Sequence, residues 1–277
     1  RRALDGRIAC LGAIPRDSRL ALPSRHLGLT QAREYDDLQD RIAAIARVVA
    51  DSVDLAQIER LCPLVPTAPT PAQALPPLGQ RIAVASDHAF AFAYEHLLEG
   101  WRNAGASLSR FSPLAGEAPT PDADAVYLPG GYPELHGAQL AAKAPWREGL
   151  RRLADAGALI YGECGGYMAL GKALVDKDGQ RHQMAGLLPH STSFQRPKRH
   201  LGYRTLHHNG SALSHWPGTL RGHEFHYASA MNEGPALFDA ADAEGHGRAA
   251  LGTVLGRIAG SFAHVIDSAD PLDARRP

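Results

Sequence analysis

Cysteine is scarce in this sequence of 277 residues, where Cys10, Cys62 and Cys164 stand far apart. Three scattered cysteines exclude a disulfide-stapled fold, and free thiols are typical of the reducing cytoplasm, where we expect the protein to work. No apolar run reaches the roughly 18 residues that a membrane helix requires. Lys plus Arg and Asp plus Glu number 29 each, so the charge indicates neither a nucleic-acid partner nor a membrane surface.

Proline, by contrast, is concentrated in one stretch. Residues 63–80, PLVPTAPTPAQALPPLGQ, carry six prolines and almost no charge, which predicts a semi-rigid linker between two domains. The chain opens with Arg1 rather than Met, as though within a domain, so we expect a fragment of a longer protein. The predicted organisation is the C-terminal remnant of one domain over residues 1–62, the linker over 63–80, and a complete domain over 81–277.

Before the linker, RIACLGAIPRD (7–17) predicts a strand running into a turn, and DDLQDRIAAIARVVADSV (36–53) an amphipathic helix. We interpret this region as the tail of an α/β domain.

After the linker, short apolar strands alternate with helical patterns, which predicts an α/β fold with a mostly parallel sheet flanked by helices. From about residue 180 the pattern favours further strands, in a partly antiparallel region. The predicted strands are 81–87, 123–131, 158–164, 200–208, 219–231 and 257–267, and the predicted helices are 90–106, 136–158 and 165–175.

The segment Gly-Glu-Cys-Gly-Gly, residues 162–166, joins a predicted strand directly to a predicted helix. Such a turn holds a nucleophile in a strained backbone conformation, and glycines two residues before and after it prevent collisions across the turn. The helix start also favours thiolate over thiol. A buried cysteine beside two packing glycines is the alternative. We favour Cys164 as a nucleophile, and interpret Cys10 and Cys62 as structural.

A second glycine pair lies in YLPGGYPELH, residues 127–136, at the end of another predicted strand. Its backbone N–H groups can point toward a neighbouring strand end. Gly131 is therefore a candidate for one donor of an oxyanion hole, with Gly165 as the other. A simple strand-to-helix turn explains the pair equally well.

A cysteine nucleophile in acyl transfer needs a histidine, and the chain has fourteen. In RGHEFHYA (221–228), strand alternation places Glu224 and His226 on one face and His223 on the other. H-E-x-H is one residue short of the zinc-binding H-E-x-x-H, so we predict no metal site. The other candidate is His264 of GSFAHVID. Spacing alone does not choose among His223, His226 and His264.

Taken together, seven segments resemble a class I, triad-type glutamine amidotransferase with a flavodoxin-like sheet, in the branch of the cobyrinic and hydrogenobyrinic acid a,c-diamide synthases. Several such segments in one order are far more specific than any one of them, and "DKDGQRHQMAGLLP" favours the hydrogenobyrinate enzymes. The segments are LALPSRHLGL, LPGGYPELH, GECGGYMALG, MAGLLP, LGYR, RGHEFHY and GSFAHVI.

The resemblance implies an ATP-dependent carbon–nitrogen ligase of cobalamin biosynthesis with glutamine as amido donor. In that family a dethiobiotin-synthetase-like N-terminal domain uses ATP and Mg²⁺ to activate the a and c carboxylates of the corrin acid. The amidotransferase domain releases ammonia from glutamine. The family's nucleophile falls on Cys164 and its histidine on His264, with Gly131 and Gly165 holding the oxyanion.

This chain departs from the wider amidotransferase pattern at two points. Ile266 stands where many class I enzymes have an acidic residue two positions after the histidine, which indicates a Cys–His dyad; Asp267, one residue further on, is a candidate substitute. The phosphate loop G-x-x-x-x-G-K-[ST] is absent from these 277 residues. We therefore expect the chain to be a glutaminase on its own, with no bound ATP, Mg²⁺ or other metal.

The expected partners are L-glutamine, hydrogenobyrinic or cobyrinic acid, the N-terminal synthetase domain and a second copy of the chain in a homodimer. Two other functions stay open. One is a cysteine hydrolase or peptidase of the DJ-1/PfpI type, and the other is a catalytically silent domain that binds a corrinoid or a partner protein. The roles of His223, Glu224 and His226 also stay open.

Overall fold

The computed structural model describes residues 8–22, 30, 32–62 and 75–269. The chain divides into two compact units, Arg1–Pro71 and Ala72–Pro277. The segment SRHLGL and residues 63–74 of the predicted linker lie outside the described residues.

The described part of the first unit is built around two helices, α1 (Leu38–Ser52) and α2 (Leu55–Leu61). The first confirms the predicted amphipathic helix, although only Val48 of its apolar face is buried. The strand predicted over residues 7–17 is wrong: its described residues make only an isolated bridge, from Gly12 to Val53. A strand needs a hydrogen-bonded neighbour, and the described part of this unit supplies no ladder for it.

The described part of the second unit contains fifteen strands and four helices. The helices are α3 (Glu95–Asn103), α4 (Gly137–Ala142), α5 (Ala144–Asp155) and α6 (Gly165–Leu170). The strands are β1 (Arg81–Ala85), β2 (Ser107–Phe111), β3 (Ala125–Leu128), β4 (Leu159–Glu163), β5 (Ala173–Val175), β6 (Arg181–Gln183), β7 (Ser191–Ser193), β8 (His200–His207), β9 (Thr219–His226), β10 (Ser229–Met231), β11 (Phe238–Ala241), β12 (Ala249–Leu251), β13 (Thr253–Leu255), β14 (Ile258–Ser261) and β15 (Ala263–Ser268).

A six-stranded sheet in the order β13-β14-β4-β3-β1-β2 forms the centre of this unit. All neighbouring strands are parallel except β13 and β14. Every residue of β3 and β4 is buried, as expected of strands covered on both faces. The predicted α/β architecture is therefore confirmed, with the three predicted strands as β1, β3 and β4.

Two smaller sheets follow along the chain. One has the order β10-β7-β5-β6, and the other is fully antiparallel in the order β12-β11-β8-β9-β15. In the antiparallel sheet, His264 of β15 lies directly opposite His223 of β9. This pairing confirms the predicted partly antiparallel region.

Several predicted elements have different bounds in the structure. The helix predicted over 90–106 spans Glu95–Asn103, and the strand predicted over 219–231 is divided into β9 and β10, which belong to different sheets. The helix predicted over 165–175 ends at Leu170, and the chain continues into β5. The helix predicted over 136–158 is two helices, because Pro145 favours a new helix start. The strand predicted over 257–267 breaks at Phe262, where Ser261 Oγ accepts a hydrogen bond from the Ala263 N–H at 3.1 Å. The two halves, β14 and β15, belong to different sheets.

The described end of the predicted linker is part of the core of the second unit. Leu75 and Leu78 are buried, and the Pro76 carbonyl accepts a 2.8 Å hydrogen bond from Trp216 Nε1. The predicted domain boundaries themselves stay a prediction. Among the described residues, none of the helices has both the length and the apolar character needed to cross a bilayer.

Candidate active site

Cys164 occupies the turn between β4 and α6 in a strained backbone conformation. Its φ of 47° and ψ of −103° lie in a region that residues with a Cβ rarely adopt. The neighbouring glycines make the turn sterically feasible. A Cβ on Gly162 would lie 2.8 Å from the backbone of Gly166, and a Cβ on Gly166 would collide with the Leu128 carbonyl. The turn therefore has the geometry that the glycine spacing predicts.

The Gly130–Gly131 loop after β3 lies beside the start of α6. A Cβ on Gly165 would approach the Gly131 nitrogen to 2.9 Å and Pro133 Cδ to 2.8 Å. The structure therefore brings together the two glycines predicted to donate to an oxyanion. Their role in holding that charge stays a prediction.

His264 reaches the same loop from the antiparallel sheet. A Cβ on Gly130 would collide with Cε1 of the His264 ring, so the ring packs directly against the loop. The ring also stacks on His223, with centroids 4.9 Å apart and planes at 10°. Tyr94 Oη and His223 Nε2 are hydrogen-bonded at 2.5 Å. Cys164 and His264 therefore lie around one glycine loop, which neither spacing nor periodicity predicts.

The electrostatic environment favours the neutral forms of both groups. Burial raises the pKa of the Cys164 thiol, and nearby carboxylates raise it further, whereas the Gly165 N–H lowers it. Burial also lowers the pKa of His264 to about 3, with His223 and His226 adding to the effect. The described structure thus holds a neutral thiol and a neutral imidazole at pH 7. The nearby carboxylates are those of Glu134, Glu163 and Glu224.

The expectation of a thiolate at rest is therefore wrong. Cys164 is only 5% exposed, and the single favourable backbone N–H does not offset the loss of hydration. The Cys164 thiol donates to the Phe225 carbonyl at 3.9 Å, and no hydrogen bond to His264 is present among the described residues.

Asp267 does not reach His264. A β-bulge between Val265 and Asp267 shifts the register of β15, and Asp267 lies opposite Arg221, where the strand is no longer buried. The Asp267 side chain is exposed and accepts a 2.7 Å hydrogen bond from the Ser268 N–H. The groups packed against the His264 ring are His223 and Tyr94 instead.

Glu163 is a buried residue of the site that the sequence prediction missed. Its carboxylate accepts hydrogen bonds from Tyr127 Oη at 2.8 Å, Tyr161 Oη at 3.2 Å and the Val265 N–H at 3.1 Å. Burial raises the pKa of Glu163 to about 7 against these hydrogen bonds. Glu163 directly precedes Cys164 and Val265 directly follows His264, so this hydrogen bond links the two chain segments that carry the cysteine and the histidine. An acidic residue at the end of an apolar strand is the sequence signal for it.

Glu224 and His226 lie on one face of β9, as predicted, and they contact each other. Glu224 Oε1 lies 3.2 Å from His226 Nε2, and Glu224 Oε2 accepts a 2.6 Å hydrogen bond from Arg204 Nε. Burial raises the pKa of Glu224, but His226 and Arg204 outweigh it and the net shift is downward. These contacts stabilise the strand that carries Phe225 past the Cys164 thiol.

The other two cysteines belong to the first unit. Cys10 is partly buried, and its thiol donates to the Gly12 carbonyl at 3.6 Å. Cys62 is exposed, so it contributes little to any core.

Comparison with known proteins identifies the domain that carries this site. Residues 81–271 match the CobB/CobQ-like glutamine amidotransferase domain. The chain belongs to this family. A CobB/CobQ-like glutamine amidotransferase is not a hydrolase of the DJ-1/PfpI type, so that alternative is wrong.

Two curated relatives carry the same name. The hydrogenobyrinate a,c-diamide synthase of a Sinorhizobium species is 52% identical over 267 residues, which cover 95% of this chain and 61% of that protein. The enzyme of the same name from Brucella abortus is 50% identical over 264 residues, 94% of this chain and 60% of that protein. The chain thus spans about 60% of the length of these relatives. Among solved structures, a glutamine amidotransferase of Thermotoga maritima aligns at 18% identity over 66% of this chain and 75% of that one, with a TM-score of 0.45 that is too low to carry weight.

Proposed function

We propose that this chain is the glutamine-hydrolysing part of a hydrogenobyrinate a,c-diamide synthase, which amidates the a and c carboxylates of its corrin acid in cobalamin biosynthesis. The observation that carries the proposal is the strained backbone of Cys164, at a turn that meets the loop on which His264 packs. Identity of 52% and 50% to two synthases of that name supports the choice of corrin substrate.

In the proposed reaction, Cys164 Sγ forms a bond to the carboxamide carbon of glutamine. His264, neutral at rest, takes the thiol proton as the bond forms and returns it to the departing nitrogen, so ammonia leaves. The Gly131 and Gly165 N–H groups hold the negative charge on the carboxamide oxygen. Water then cleaves the γ-glutamyl thioester, giving glutamate and the free thiol. The reaction balances as glutamine plus water to glutamate plus ammonia.

The residues of this chain do not fit an ATP site of the phosphate-loop type, because that motif is absent from the sequence. Among the described residues no group of three or more His, Cys, Asp or Glu side chains is placed to hold a metal ion. Activation of the corrin carboxylates with ATP and Mg²⁺ is therefore assigned, in this proposal, to a synthetase domain outside residues 1–277. A cytoplasmic location and a homodimer complete the proposal.

The test measures glutamate release from glutamine by the native protein. The assay is run with and without MgATP, and in the presence of hydrogenobyrinic or cobyrinic acid. We expect glutamate release by wild type, none by Cys164→Ala, and normal release by Cys62→Ala as the matched control. Amide formation is expected with hydrogenobyrinate and MgATP together. Binding of a corrin acid without glutamate release under any condition would favour the catalytically silent domain instead.

A further inference from the structure

Glu134 has a buried carboxylate oxygen with no hydrogen-bond partner. Among the described residues, four buried side-chain N or O atoms lack a partner, and Glu134 Oε2 is the one that belongs to an acid. Burial raises the pKa of this carboxyl to about 7. A buried carboxylate oxygen without a hydrogen-bond partner destabilises the folded state. The contacts within the fold do not explain why an acid stands here, whereas a bound ligand that donates a hydrogen bond would.

The position of Glu134 is next to the nucleophile. It lies in the short 3₁₀ helix Pro133–Leu135, which directly follows the Gly130–Gly131 loop, and Pro133 packs against Gly165. Apart from burial, the Glu134 charge is the largest influence that raises the pKa of Cys164, ahead of those of Glu163 and Glu224. The Glu134 carboxylate is therefore close enough to Cys164 to disfavour the negative charge of a thiolate on its sulfur.

The other two carboxylates near Cys164 already have partners. Glu163 accepts hydrogen bonds from two tyrosines and a backbone N–H, and Glu224 contacts Arg204 and His226. Glu134 alone among the three has a buried oxygen left for a ligand. Such an oxygen fits a cation that also donates hydrogen bonds.

We infer that the Glu134 carboxylate binds the α-ammonium group of the substrate glutamine. The inference rests on the proposed function, because it takes glutamine to be the molecule that Cys164 attacks. Glutamine carries one cationic group, and its carboxamide has to lie on the Gly131 and Gly165 N–H groups, so a partner for the ammonium is needed close to that loop.

This assignment also explains how a neutral thiol becomes reactive. An unpaired carboxylate disfavours a thiolate beside it, and an ammonium bound to that carboxylate cancels the effect. Substrate binding therefore makes Cys164 more acidic at the moment when its proton has to leave.

The test compares L-glutamine with glutaramate, which has the same carboxamide and chain but no α-ammonium group. Glutamate or glutarate release is measured for wild type, Glu134→Gln and the control Glu99→Gln, all with hydrogenobyrinate and MgATP. Glu99 is exposed on α3. We expect Glu134→Gln to lower kcat/KM for glutamine by about 10²-fold, mainly through KM, and to leave glutaramate within about threefold of wild type. Glu99→Gln is expected to change neither.

Equal losses on both substrates, or an unchanged KM for glutamine, would overturn the inference. The conservative variant Glu134→Asp keeps the charge and is expected to recover part of the preference for glutamine; the absence of any recovery would count against a direct contact. A wild-type protein that releases no glutamate from glutamine contradicts the proposed function instead, so the two failures are distinguishable.

Discussion

The site joins two regions that are built in different ways. The end of the parallel sheet, comprising β4, α6 and the Gly130–Gly131 loop, is apolar apart from Glu163, and backbone geometry at glycines shapes it. The β9–β15 edge of the antiparallel sheet instead presents polar side chains toward the site, His223 and His264 among them. The first region fixes where Cys164, the proposed nucleophile, lies, and the second positions His264, the proposed proton carrier.

This difference teaches how the two regions depend on each other. The Cys164 turn is held by contacts close to it, whereas His264 is placed by strand pairing and by the loop it packs against. Removing the His264 side chain should therefore greatly slow the chemistry while the Cys164 turn stays intact. A change in the glycine loop should instead displace the His264 ring.

The largest effect is expected from removing the proton carrier. His264→Asn should lower kcat for glutamine hydrolysis by about 10²–10⁴-fold, because no other group would take the thiol proton. Glutamate release measures it. The matched control is His246→Asn, at an exposed position, which is expected to leave the rate unchanged. Comparable rates for His264→Asn and wild type would show that the antiparallel region does not take part in the chemistry.

A smaller effect is expected where the two regions touch. Gly130→Ala places a methyl group against Cε1 of His264, which has to move away from the loop. Because a displacement of about 1 Å can cost 10²-fold in rate, we expect a 10–100-fold loss in kcat. Gly218→Ala is the control, since a Cβ there meets nothing within 4 Å. A crystal structure of the Gly130→Ala variant with an unmoved His264 ring, or an unchanged rate, would contradict the contact.

The smallest effect on turnover is expected at the link between the regions, where the readout is stability. The folded-state pKa of Glu163 is about 7 against an ordinary value of 4.5. The contribution of its protonated carboxyl to the free energy of unfolding is therefore fully present below about pH 4.5 and is lost as pH rises through 7. The free energy of unfolding of wild type minus that of Glu163→Gln should therefore fall by up to about 3 kcal/mol between pH 4.5 and 7.

Urea unfolding at a series of pH values measures this difference. His264, with its lowered pKa, contributes with the opposite sign, but it is present in both proteins and cancels. The control Glu99→Gln should give a difference that does not vary with pH. A flat difference for Glu163→Gln as well would mean that the carboxylate is not held in its buried hydrogen bonds.

Features within each region could be predicted from the sequence, whereas the contacts between the two regions could not. The alternation of strands and helices, the Cys164 turn and the two glycine pairs are local patterns, and the structure has them. The links between regions are not local: Glu163 reaches Val265 across 102 residues, and Tyr94 reaches His223 across 129. Neither has a periodicity that marks its partner.

Two expectations were wrong for physical reasons. Asp267 was expected beside His264 because the two are close along the chain, but β15 is no longer buried after Val265 and Asp267 is exposed beyond a β-bulge. The thiolate was expected from the helix start, but burial acts on the charge more strongly than one backbone N–H does. Both depend on tertiary packing, which the sequence pattern around these residues does not specify.

The most direct test of the central claim is covalent labelling with 6-diazo-5-oxo-norleucine, a glutamine analogue that reacts with the attacking sulfur. Peptide mapping by mass spectrometry after incubation of the native protein identifies the modified residue. The account predicts an adduct on Cys164 alone, formed much more slowly in His264→Asn. An adduct on Cys10 or Cys62, or labelling of Cys164 at the same rate without the His264 ring, would contradict it.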